Sequence, residues 1–330
     1  KGKLKEDFEL HVPVSMWKKT KKHLFITKTS ELNLQGFLDS FQPDIVYNNT
    51  WMNGTKIKSI SFSCPVITHV HELNHWIDLG GKDNSLANIK KTTKYFTASQ
   101  SVANNLNKRF NIPTSICTPV YLGIDEIDKI SPKFSKLKDY LKLPEDSFVV
   151  GACGVESHRK GKDFFIKLAE QVILNATKQN VHFVWIGGKL EPEIENDYNQ
   201  SKFKSSIHFV PTVADAHHFF SDFDIFCMIS RDDPFPTVNL EVGAYGIPII
   251  CFKDSGGTHE LIKKDGGFAI ENFDLNKFAK ASIEMCNNNK LRIEMGKTLQ
   301  KRVTEDFNLH SIASNVFTKL EQIVNGSRSN

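Results

Sequence analysis

Two segments of this chain contain the side chains best suited to holding a negatively charged ligand. The first places adjacent cations, Arg159 and Lys160, in a glycine-punctuated turn after an apolar run. Arg can bind a phosphate through two parallel hydrogen bonds, and Lys acts as a point charge. The second segment has Pro234 and Pro236 directly before a predicted helix, whose first amides lack partners inside the helix. The start of that helix could hold a phosphate.

Two carboxylates belong to the second segment. Asp233 lies in the loop, and Glu241 lies eight positions later on the predicted helix. Carboxylates at these two places could hold the hydroxyl groups of one extended ligand. The spacing alone says little, because a chain with 38 acidic residues contains such pairs by chance. The function of the pair must therefore be inferred from the surrounding residues.

The elements that position these side chains alternate along the chain as strand and helix. This alternation predicts an α/β fold in which parallel sheets are flanked by helices. In the first half, we predict strands at 23–27, 44–48, 66–70, 95–98 and 115–119, and helices at 30–41 and 99–110. In the second half, we predict strands at 148–153, 182–186, 207–210, 225–229, 249–252 and 267–270, and helices at 163–177, 215–220, 238–245, 258–263, 275–287, 290–306 and 309–324.

The length of 330 residues favours two compact units of roughly 150 residues each. A polar segment with prolines, residues 123–146, separates the two patterned halves. We therefore place an N-terminal lobe at 1–125 and a second lobe at 126–308. The C-terminal helix, within 309–330, is expected to pack back on the first lobe.

The segment from Asp233 to Glu241 resembles retaining glycosyltransferases of family four, whose hallmark is an acidic residue, seven arbitrary residues and then Glu. The likeness continues through residues 244–250 and 256–260, and residues 151–165 resemble the family's phosphate loop. Further matches follow in family order at 44–50, 64–72, 98–102 and 121–125. The resemblance thus covers nearly the whole chain, and it implies two Rossmann-like lobes that face each other across a cleft, the GT-B architecture.

This chain departs from the family in two respects. The family usually has Glu at the position of Asp233, and the shorter Asp side chain changes the expected sugar contact. The glycine-rich loop that opens the N-terminal lobe of relatives is not found here. Because the first residue is Lys1 and not Met, we expect the chain to begin partway into a longer protein.

The resemblance also implies a role for individual residues, with a nucleoside-diphosphate sugar as the donor and with no cofactor or metal. Lys160 and Arg159 would neutralise the diphosphate. Glu241 would bind the ribose, Asp233 the transferred sugar, and His71 would face that sugar across the cleft. The remaining residues expected at the nucleotide are Gly154, Gly187, Phe235, Pro236, Thr237 and Val238.

The implied activity is transfer of a hexose, with retention, to a glycan, a lipid-linked molecule or another hydroxyl acceptor. Such an enzyme would serve the synthesis of a surface polysaccharide or glycoconjugate. A sugar-nucleotide epimerase shares the architecture and could use the same phosphate loop. A carbohydrate-binding relative without catalytic activity is a further alternative.

Residues 71–75 spell the HExxH motif of zinc peptidases. On a helix, His71 and His75 would bind one metal while Glu72 activates water. The residues before His71 are β-branched and typical of a strand, whereas a zinc peptidase needs helix on both sides of the first His. A zinc metallopeptidase is therefore the less favoured alternative. We also expect no divalent ion at Asp222 and Asp224.

Composition sets the remaining expectations. The net charge is +4, and residues 1–30 contain eight Lys against three acidic residues. Within them, residues 17–25 mix cations with apolar side chains, as a segment resting on anionic lipid would. No apolar run reaches the length of a membrane span, and the six cysteines lack CxxC spacing. We expect a cytoplasmic protein, with contact to the inner face of the membrane as one option, and no nucleic-acid partner.

Overall fold

The computed structural model of the chain describes residues 34–125, 137–178, 180–214 and 216–328. The predicted strand 23–27, the basic segment 17–25 and part of the predicted lobe boundary lie outside the described residues. All six cysteines are described, and each is a free thiol. Among the helices of the described ranges, none combines the length and apolar character needed to cross a bilayer.

The first sheet contains four parallel strands in the order β1-β2-β3-β4. The strands are β1 Val46–Asn48, β2 Val66–Val70, β3 Lys94–Thr97 and β4 Cys117–Pro119. The helices of this part are α1 Leu34–Phe41, α2 Gly54–Ile57, α3 Asn74–Lys91 and α4 Gln100–Phe110. Every residue of β2 is buried, as expected for a strand covered on both faces. Ser99 caps the start of α4, because its side chain accepts from the amide of Val102.

The second sheet contains six parallel strands in the order β10-β9-β8-β5-β6-β7. The strands are β5 Phe148–Cys153, β6 Val181–Ile186, β7 Ile207–Val210, β8 Ile225–Met228, β9 Ile249–Phe252 and β10 Gly267–Ile270. The helices are α5 Leu137–Leu141, α6 Lys162–Asn175, α7 Pro192–Gln200, α8 His217–Phe220, α9 Val238–Ala244, α10 Thr258–Ile262, α11 Leu275–Asn287, α12 Asn289–Asp306 and α13 Leu309–Arg328. Two parallel sheets flanked by helices confirm the predicted α/β class.

The strand order places two loops at one point of the second sheet. β5 pairs with β6 on one side and with β8 on the other, so the order of the strands reverses there. Open α/β sheets bind ligands beyond the carboxyl ends of their strands at such a switch point. The segment with Arg159 and Lys160 follows β5, and the segment with Asp233 follows β8. The fold therefore brings the two predicted phosphate-binding segments to one crevice.

Helix α3 is absent from the predicted helices, and its packing explains why. Its buried residues are Ile77, Asn84, Ser85, Ala87 and Asn88, so polar side chains interrupt the apolar stripe on the inner side. Asn84 and Asn88 donate to the carbonyl of Trp51 at 2.8 and 2.5 Å. The indole of Trp51 donates to Ser85 Oγ at 3.3 Å. Gly81, at φ 77° and ψ 173°, also interrupts the helix. Helices α2, α5 and α7 were likewise not predicted.

The last helix, α13, returns to the first sheet. Val316, Leu320 and Ile323 of this helix pack against a small apolar cluster on β2, β3 and the residue after β4. The cluster contains Ile67, Phe96 and Val120, each at most 6% exposed. The apolar face of the C-terminal helix thus covers the first sheet after the chain has completed the second.

Candidate functional site

The loops after β5 and β8 contact each other through backbone and side-chain hydrogen bonds. The amide of Arg231 donates to the carbonyl of Arg159 at 2.7 Å. The guanidinium of Arg159 donates in return to the carbonyl of Asp232 at 3.0 Å. Arg231 also binds both carboxylate oxygens of Asp163, at the start of α6, at 2.8 and 2.6 Å. The fold thus holds the loop with the two predicted cations against the loop with the predicted carboxylate.

Two glycines make this close approach possible. Gly161, at φ 82°, ends the turn that carries Arg159 and Lys160, and a Cβ there would lie 2.4 Å from the carbonyl oxygen of Ile229. Gly187, at φ 105°, follows β6, and a Cβ there would lie 2.9 Å from the carbonyl oxygen of Gly154. Any other residue at either position would strain the backbone and push the neighbouring strand end away. Gly154 and Gly187 therefore lie side by side at the crevice.

Lys160 and Asp233 form an ion pair across the two loops. Lys160 Nζ donates to Asp233 Oδ2 at 2.6 Å, and Ser230 Oγ donates to the same oxygen at 3.1 Å. Arg159 Nη1 lies 3.7 Å from it. The side chains of Lys160 and Asp233 are 11% and 7% exposed, so little water screens the pair. The ammonium group is thus held at the crevice before any ligand arrives.

The backbone of Asp233 is fixed as tightly as its carboxylate. Its amide donates to the carbonyl of Ser255 at 2.7 Å, and it forms an isolated parallel bridge with Gly256. A Cβ at Gly256 would lie 1.9 Å from the carbonyl oxygen of Asp233, so only glycine fits there. The carboxylate of Asp233 is engaged by Lys160 in this structure. Its contact with a sugar stays a prediction and would require the ligand to share or replace that ion pair.

Glu241 lies beside the same crevice without a fixed partner. Its carboxylate makes no hydrogen bond with the described residues, and burial raises its pKa above the usual value. Burial also raises the pKa of the Cys153 thiol to about 11, with a smaller contribution from the charge of Glu241 and an opposing one from Lys160. Glu241 and Lys160 therefore both lie near Cys153 at the end of β5. A half-buried carboxylate without a donor is suited to a ligand's hydroxyl groups.

The residues between the β8 loop and α9 supply free backbone donors. Within the described residues, the amides of Thr237 and Val238 make no hydrogen bond, whereas the amide of Asn239 donates to Pro236 at 3.1 Å. Phe235 is buried, and its ring lies 5.1 Å from Tyr121 and 5.8 Å from Phe307. The ring of Phe235 is thus part of the core. What this segment can offer a ligand is the backbone of Thr237 and Val238.

His71 follows β2 and lies apart from the two cations. Its Nε2 lies 3.0 Å from Asn49 Oδ1, and its ring lies 3.9 Å from that of His69. Burial lowers the pKa of His71 and so favours the neutral ring, while the charge of Glu72 opposes this effect. It lines a cavity of about 370 Å³ with Asn49, Tyr121 and one side of α13. No contact joins His71 to Lys160 or Asp233 in the described structure, so the fold places it on the wall of the first sheet.

The HExxH motif does not form a metal-binding helix. His71 precedes α3, which begins at Asn74, as the strand-like residues before it predicted. Glu72 is buried and accepts from Thr50 Oγ, from the amide of Trp51 at 3.0 Å and from the amide of His71 at 2.8 Å. Its carboxylate is therefore a structural acceptor. Among the described residues, no three His, Cys, Asp or Glu side chains form a group that could hold a metal ion.

Asp222 and Asp224 also have structural roles. Asp222 Oδ2 accepts from the amide of Lys138 at 2.9 Å, and Asp224 Oδ2 accepts from the amide of Val149 at 2.9 Å. Arg292 lies 3.3 Å from the other oxygen of Asp224. These contacts attach α5, β5 and α12 to the start of β8.

Two acidic residues for which the sequence predicted no role connect the second sheet to the first. Glu260 accepts from the amides of Gln100 and Ser101 at 2.8 Å each, and from Tyr121 Oη at 3.0 Å. Helix α4 has no acidic residue of its own in its first turn. Glu260 therefore supplies the negative charge that a helix start favours. In the sequence, the only indication of a role for Glu260 was its position in residues 256–260, which resemble the family.

The second of these residues is Asp232. Its Oδ2 accepts from the amide of His75, in the first turn of α3, at 3.1 Å. Its Oδ1 is buried without a hydrogen-bond partner among the described residues, and burial raises its pKa. Ser99 adds a further link by donating to the carbonyl of Pro234 at 2.9 Å. Helices α3 and α4, which follow β2 and β3, thus begin against the loops of the second sheet.

Replacing Glu260 with Ala should lower the free energy of unfolding by about 1–2 kcal/mol, because two helix-start amides and Tyr121 Oη lose their acceptor. Urea denaturation followed by circular dichroism measures the change. Glu294→Ala is the matched control, because Glu294 lies on the exposed surface of α12 with a single long contact to Lys290. Equal midpoints for the two variants would contradict the role given to Glu260.

Comparison with known proteins identifies a family whose sequences match this chain. Residues 133–302, more than half of the chain, match the family described as glycosyl transferases, group 1. A capsular polysaccharide biosynthesis glycosyltransferase, CapM of Staphylococcus aureus, is 24% identical over 55% of this chain and 48% of its own length. An Escherichia coli enzyme named UDP-Gal:alpha-D-GlcNAc-diphosphoundecaprenol alpha-1,3-galactosyltransferase is 24% identical over 85% of this chain and 76% of its own.

A solved structure extends the likeness to the fold. HepE of Anabaena, in complex with UDP-glucose, superposes with a TM-score of 0.79 at 20% identity, over 97% of this chain and 89% of its own. This likeness confirms the predicted GT-B fold. The chain spans less than half the length of the first curated relatives that it matches, at 43%, 48% and 38%. By the match over residues 133–302, the chain belongs to the group 1 glycosyl transferases.

Proposed function

We propose that this protein transfers a hexose from a nucleoside-diphosphate sugar to a hydroxyl acceptor, with retention at the anomeric carbon. The observation that carries the proposal is the crevice at the switch point. There, Lys160 and Arg159 lie against Asp233, whose loop continues to the free amides of Thr237 and Val238, and Glu241 lies near Cys153, as Lys160 does. Two fixed cations and two free amide donors suit a diphosphate, and an unpaired carboxylate suits ribose hydroxyls.

In the proposed reaction, the bond between the anomeric carbon and the phosphate oxygen breaks, and negative charge grows on that oxygen. Lys160 and Arg159 are already oriented by the β8 loop, so they stabilise this charge without reorganising. They favour the transition state over the ground state, which is what raises kcat. The acceptor oxygen bonds to the anomeric carbon from the side on which the leaving group departs, and the leaving phosphate takes its proton.

We propose a uridine diphosphate hexose as the donor. HepE, whose fold this chain shares, was solved with UDP-glucose, and the E. coli relative is named for UDP-Gal. Of the residues expected at the nucleotide, Glu241 would bind the ribose, and Gly154 and Gly187 would let the nucleotide approach the strand ends closely. Asp233 would share its ion pair with the hydroxyls of the transferred sugar.

For the acceptor, we propose a lipid-linked glycan bound on the side of the first sheet. The support is the cavity of about 370 Å³ lined by His71, Asn49 and the apolar side of α13. His71 would face the transferred sugar from there. The E. coli relative is named for an acceptor carried on diphosphoundecaprenol, and CapM for capsular polysaccharide. We place the protein in the cytoplasm, where nucleotide sugars are made, in the synthesis of a surface polysaccharide and without a nucleic-acid partner.

The two lobes are proposed as residues 1–125 together with 309–330, and residues 126–308. The support is that β1 to β4 form one sheet and β5 to β10 another, and that Val316, Leu320 and Ile323 of α13 pack on the first. Closure of these lobes over the donor would exclude water and limit hydrolysis.

A thermal-shift panel tests the proposed donor site. Uridine, guanosine and adenosine diphosphates and their hexoses are each added to the protein, because a ligand present at 100 times its Kd stabilises the folded state by about 2.7 kcal/mol. We expect the uridine compounds to raise Tm most. Conversion of the sugar without any acceptor would favour the epimerase, and binding without turnover on any acceptor would favour the non-catalytic relative. No shift with any nucleotide would contradict the proposal.

Replacing Glu241 with Gln should stabilise the unliganded protein while weakening donor binding by roughly tenfold to 100-fold. Because burial raises the pKa of this carboxyl, the folded state holds its proton more firmly than the unfolded chain. The group therefore costs stability as pH rises through its pKa, and the neutral amide removes that cost. Tm without ligand at pH 7 measures the expected gain in stability. Kd for the diphosphate at pH 7 measures the expected loss of affinity. A lower Tm for the variant would contradict the unpaired state of Glu241.

A further inference from the structure

Lys162, the first residue of α6, has a buried ammonium group beside the candidate site. Its side chain is 1% exposed. The ammonium group donates to the carbonyl of Lys189 and lies 3.5 Å from Glu191 Oε2, at the start of α7. Removing an ammonium group from water is costly, and a buried ion pair offsets that cost only where its geometry is close. The stability of the lobe alone therefore does not account for a lysine at this position.

The segment that Lys162 contacts is the β6 loop, residues 187–191, which follows β6. Gly188, at φ 70°, lies directly against the ammonium group, since a Cβ there would lie 2.9 Å from Lys162 Nζ. The same Cβ would lie 2.6 Å from the amide nitrogen of Glu156, in the loop after β5. The amide of Gly188 donates to Thr212 Oγ1 at 3.0 Å. The β6 loop is thus held between the ammonium group and the loop after β5, without room for a side chain at Gly188.

Trp185, near the end of β6, joins the same two loops. Its buried indole N–H donates to the carbonyl of Gly154 at 3.0 Å and to the carbonyl of Gly187 at 3.1 Å. Lys162 Nζ lies 5.8 Å from the centroid of the ring, within the range of a cation–π contact. Trp185 and Lys162 therefore hold the β6 loop against the loop after β5.

This arrangement adjoins Lys160 without orienting its ammonium group. A Cβ at Gly154 would lie 3.2 Å from Lys160 Cδ and 3.3 Å from Trp185 Cζ2, so the stem of Lys160 and the indole both pack on Gly154. The ammonium group of Lys160 is held by Asp233 instead, in the β8 loop. A shift of the β6 loop would therefore change the shape of the crevice while leaving the Lys160 ammonium group with its partner.

We propose that Lys162 is a positioning residue for donor binding, which with Trp185 fixes the β6 loop at the distance from the loop after β5 that the nucleotide requires. The inference rests on the proposed function, because it concerns the same donor site. Lys162 touches no ligand in this role and acts through the backbone of residues 187–189. A loop that is in place before the ligand arrives does not have to be ordered on binding. Loss of this order weakens donor binding and leaves the chemical step nearly unchanged.

The variant Lys162→Met tests the proposal, because it keeps the length of the side chain and removes the charge. We expect Kd for uridine diphosphate to rise by roughly tenfold, measured by calorimetric titration. In initial-rate measurements, kcat at saturating donor should stay within about threefold of wild type, because Lys160 and Arg159 keep their contacts with the β8 loop. Trp185→Phe should raise Kd by a similar factor, because the carbonyls of Gly154 and Gly187 lose their shared donor.

Arg302→Met is the matched control for loss of a buried cation. The Arg302 side chain is 9% exposed, and it donates to the carbonyls of Leu261 and Ile262 and to Asp265. These contacts lie between α10 and the start of β10, at the edge of the second sheet opposite the crevice. Arg302→Met should lower Tm, as Lys162→Met does, without changing Kd for uridine diphosphate.

Hydrogen exchange without any ligand measures the β6 loop directly. The amides of Gly187 and Gly188 are hydrogen-bonded to Val210 and Thr212, so they should exchange faster in Lys162→Met and at the wild-type rate in Arg302→Met. Unchanged exchange in Lys162→Met, or an unchanged Kd in Lys162→Met or Trp185→Phe, would overturn the positioning role. An equal rise of Kd in Arg302→Met would overturn it as well. Failure of the proposed function is distinguishable, because wild type would then bind no nucleoside diphosphate, and exchange alone would decide whether Lys162 fixes the loop.

Discussion

Replacing Lys160 with Ala is expected to lower kcat by about 100-fold to 1000-fold, the range seen when one preorganised donor to a developing charge is removed. Donor affinity should fall by less than about tenfold, because the ground-state diphosphate carries less charge on the bridging oxygen and keeps Arg159 and the amides of Thr237 and Val238. Lys160 is already held by Asp233 at 2.6 Å, so its stabilising effect requires no reorganisation.

Turnover and donor affinity must be measured separately to test this expectation. Initial rates at saturating donor give kcat, and calorimetric titration with the diphosphate gives Kd. Lys160→Arg should retain part of the activity, since it keeps the charge, and Lys167→Ala on the exposed side of α6 should retain all of it. Equal kcat for Lys160→Ala and wild type would remove Lys160 from the proposed mechanism.

Replacing Asp233 with Ala should destabilise the protein by about 3–5 kcal/mol, the usual consequence of leaving one charge of a buried pair without its partner. Lys160 would lose its carboxylate in a place where its side chain is 11% exposed, and Ser230 Oγ would lose its acceptor. Turnover should fall as well, because the ammonium group would no longer be held at the crevice. Denaturation by urea and initial rates measure the two effects.

A double-mutant cycle isolates the pair. The variant with both Lys160→Ala and Asp233→Ala should be less destabilised than the sum of the single variants, because neither charge is left alone. Asp197→Ala, on the exposed side of α7, is the control for loss of a carboxylate in the same lobe. Strict additivity of the two single changes would show that the ion pair does not couple Lys160 to Asp233.

Strand positions followed from the sequence because they depend on neighbours along the chain. The bounds of β5 and β9 were predicted to the residue, since each is a short apolar run that both faces of a covered sheet require. Helix α3 escaped prediction because its buried side is a polar network with Trp51, and periodicity finds only apolar stripes. Trp76, Leu79 and Leu86 of α3 are exposed while Ile77 and Ala87 are buried, so its apolar residues do not form one buried stripe.

The candidate site could also be predicted only in part from the sequence. Their types and their loops could be assigned from the chain alone, because a cation pair after one strand and a carboxylate after another are local patterns. The ion pair of Lys160 with Asp233, 73 residues apart, could not, and neither could the seating of Glu260 on the start of α4, 159 residues away. These contacts exist only after two strands lie side by side and the sheets meet. Local patterns depend on residues within a turn or a strand. The partner of a buried charge is determined by the fold of the whole chain.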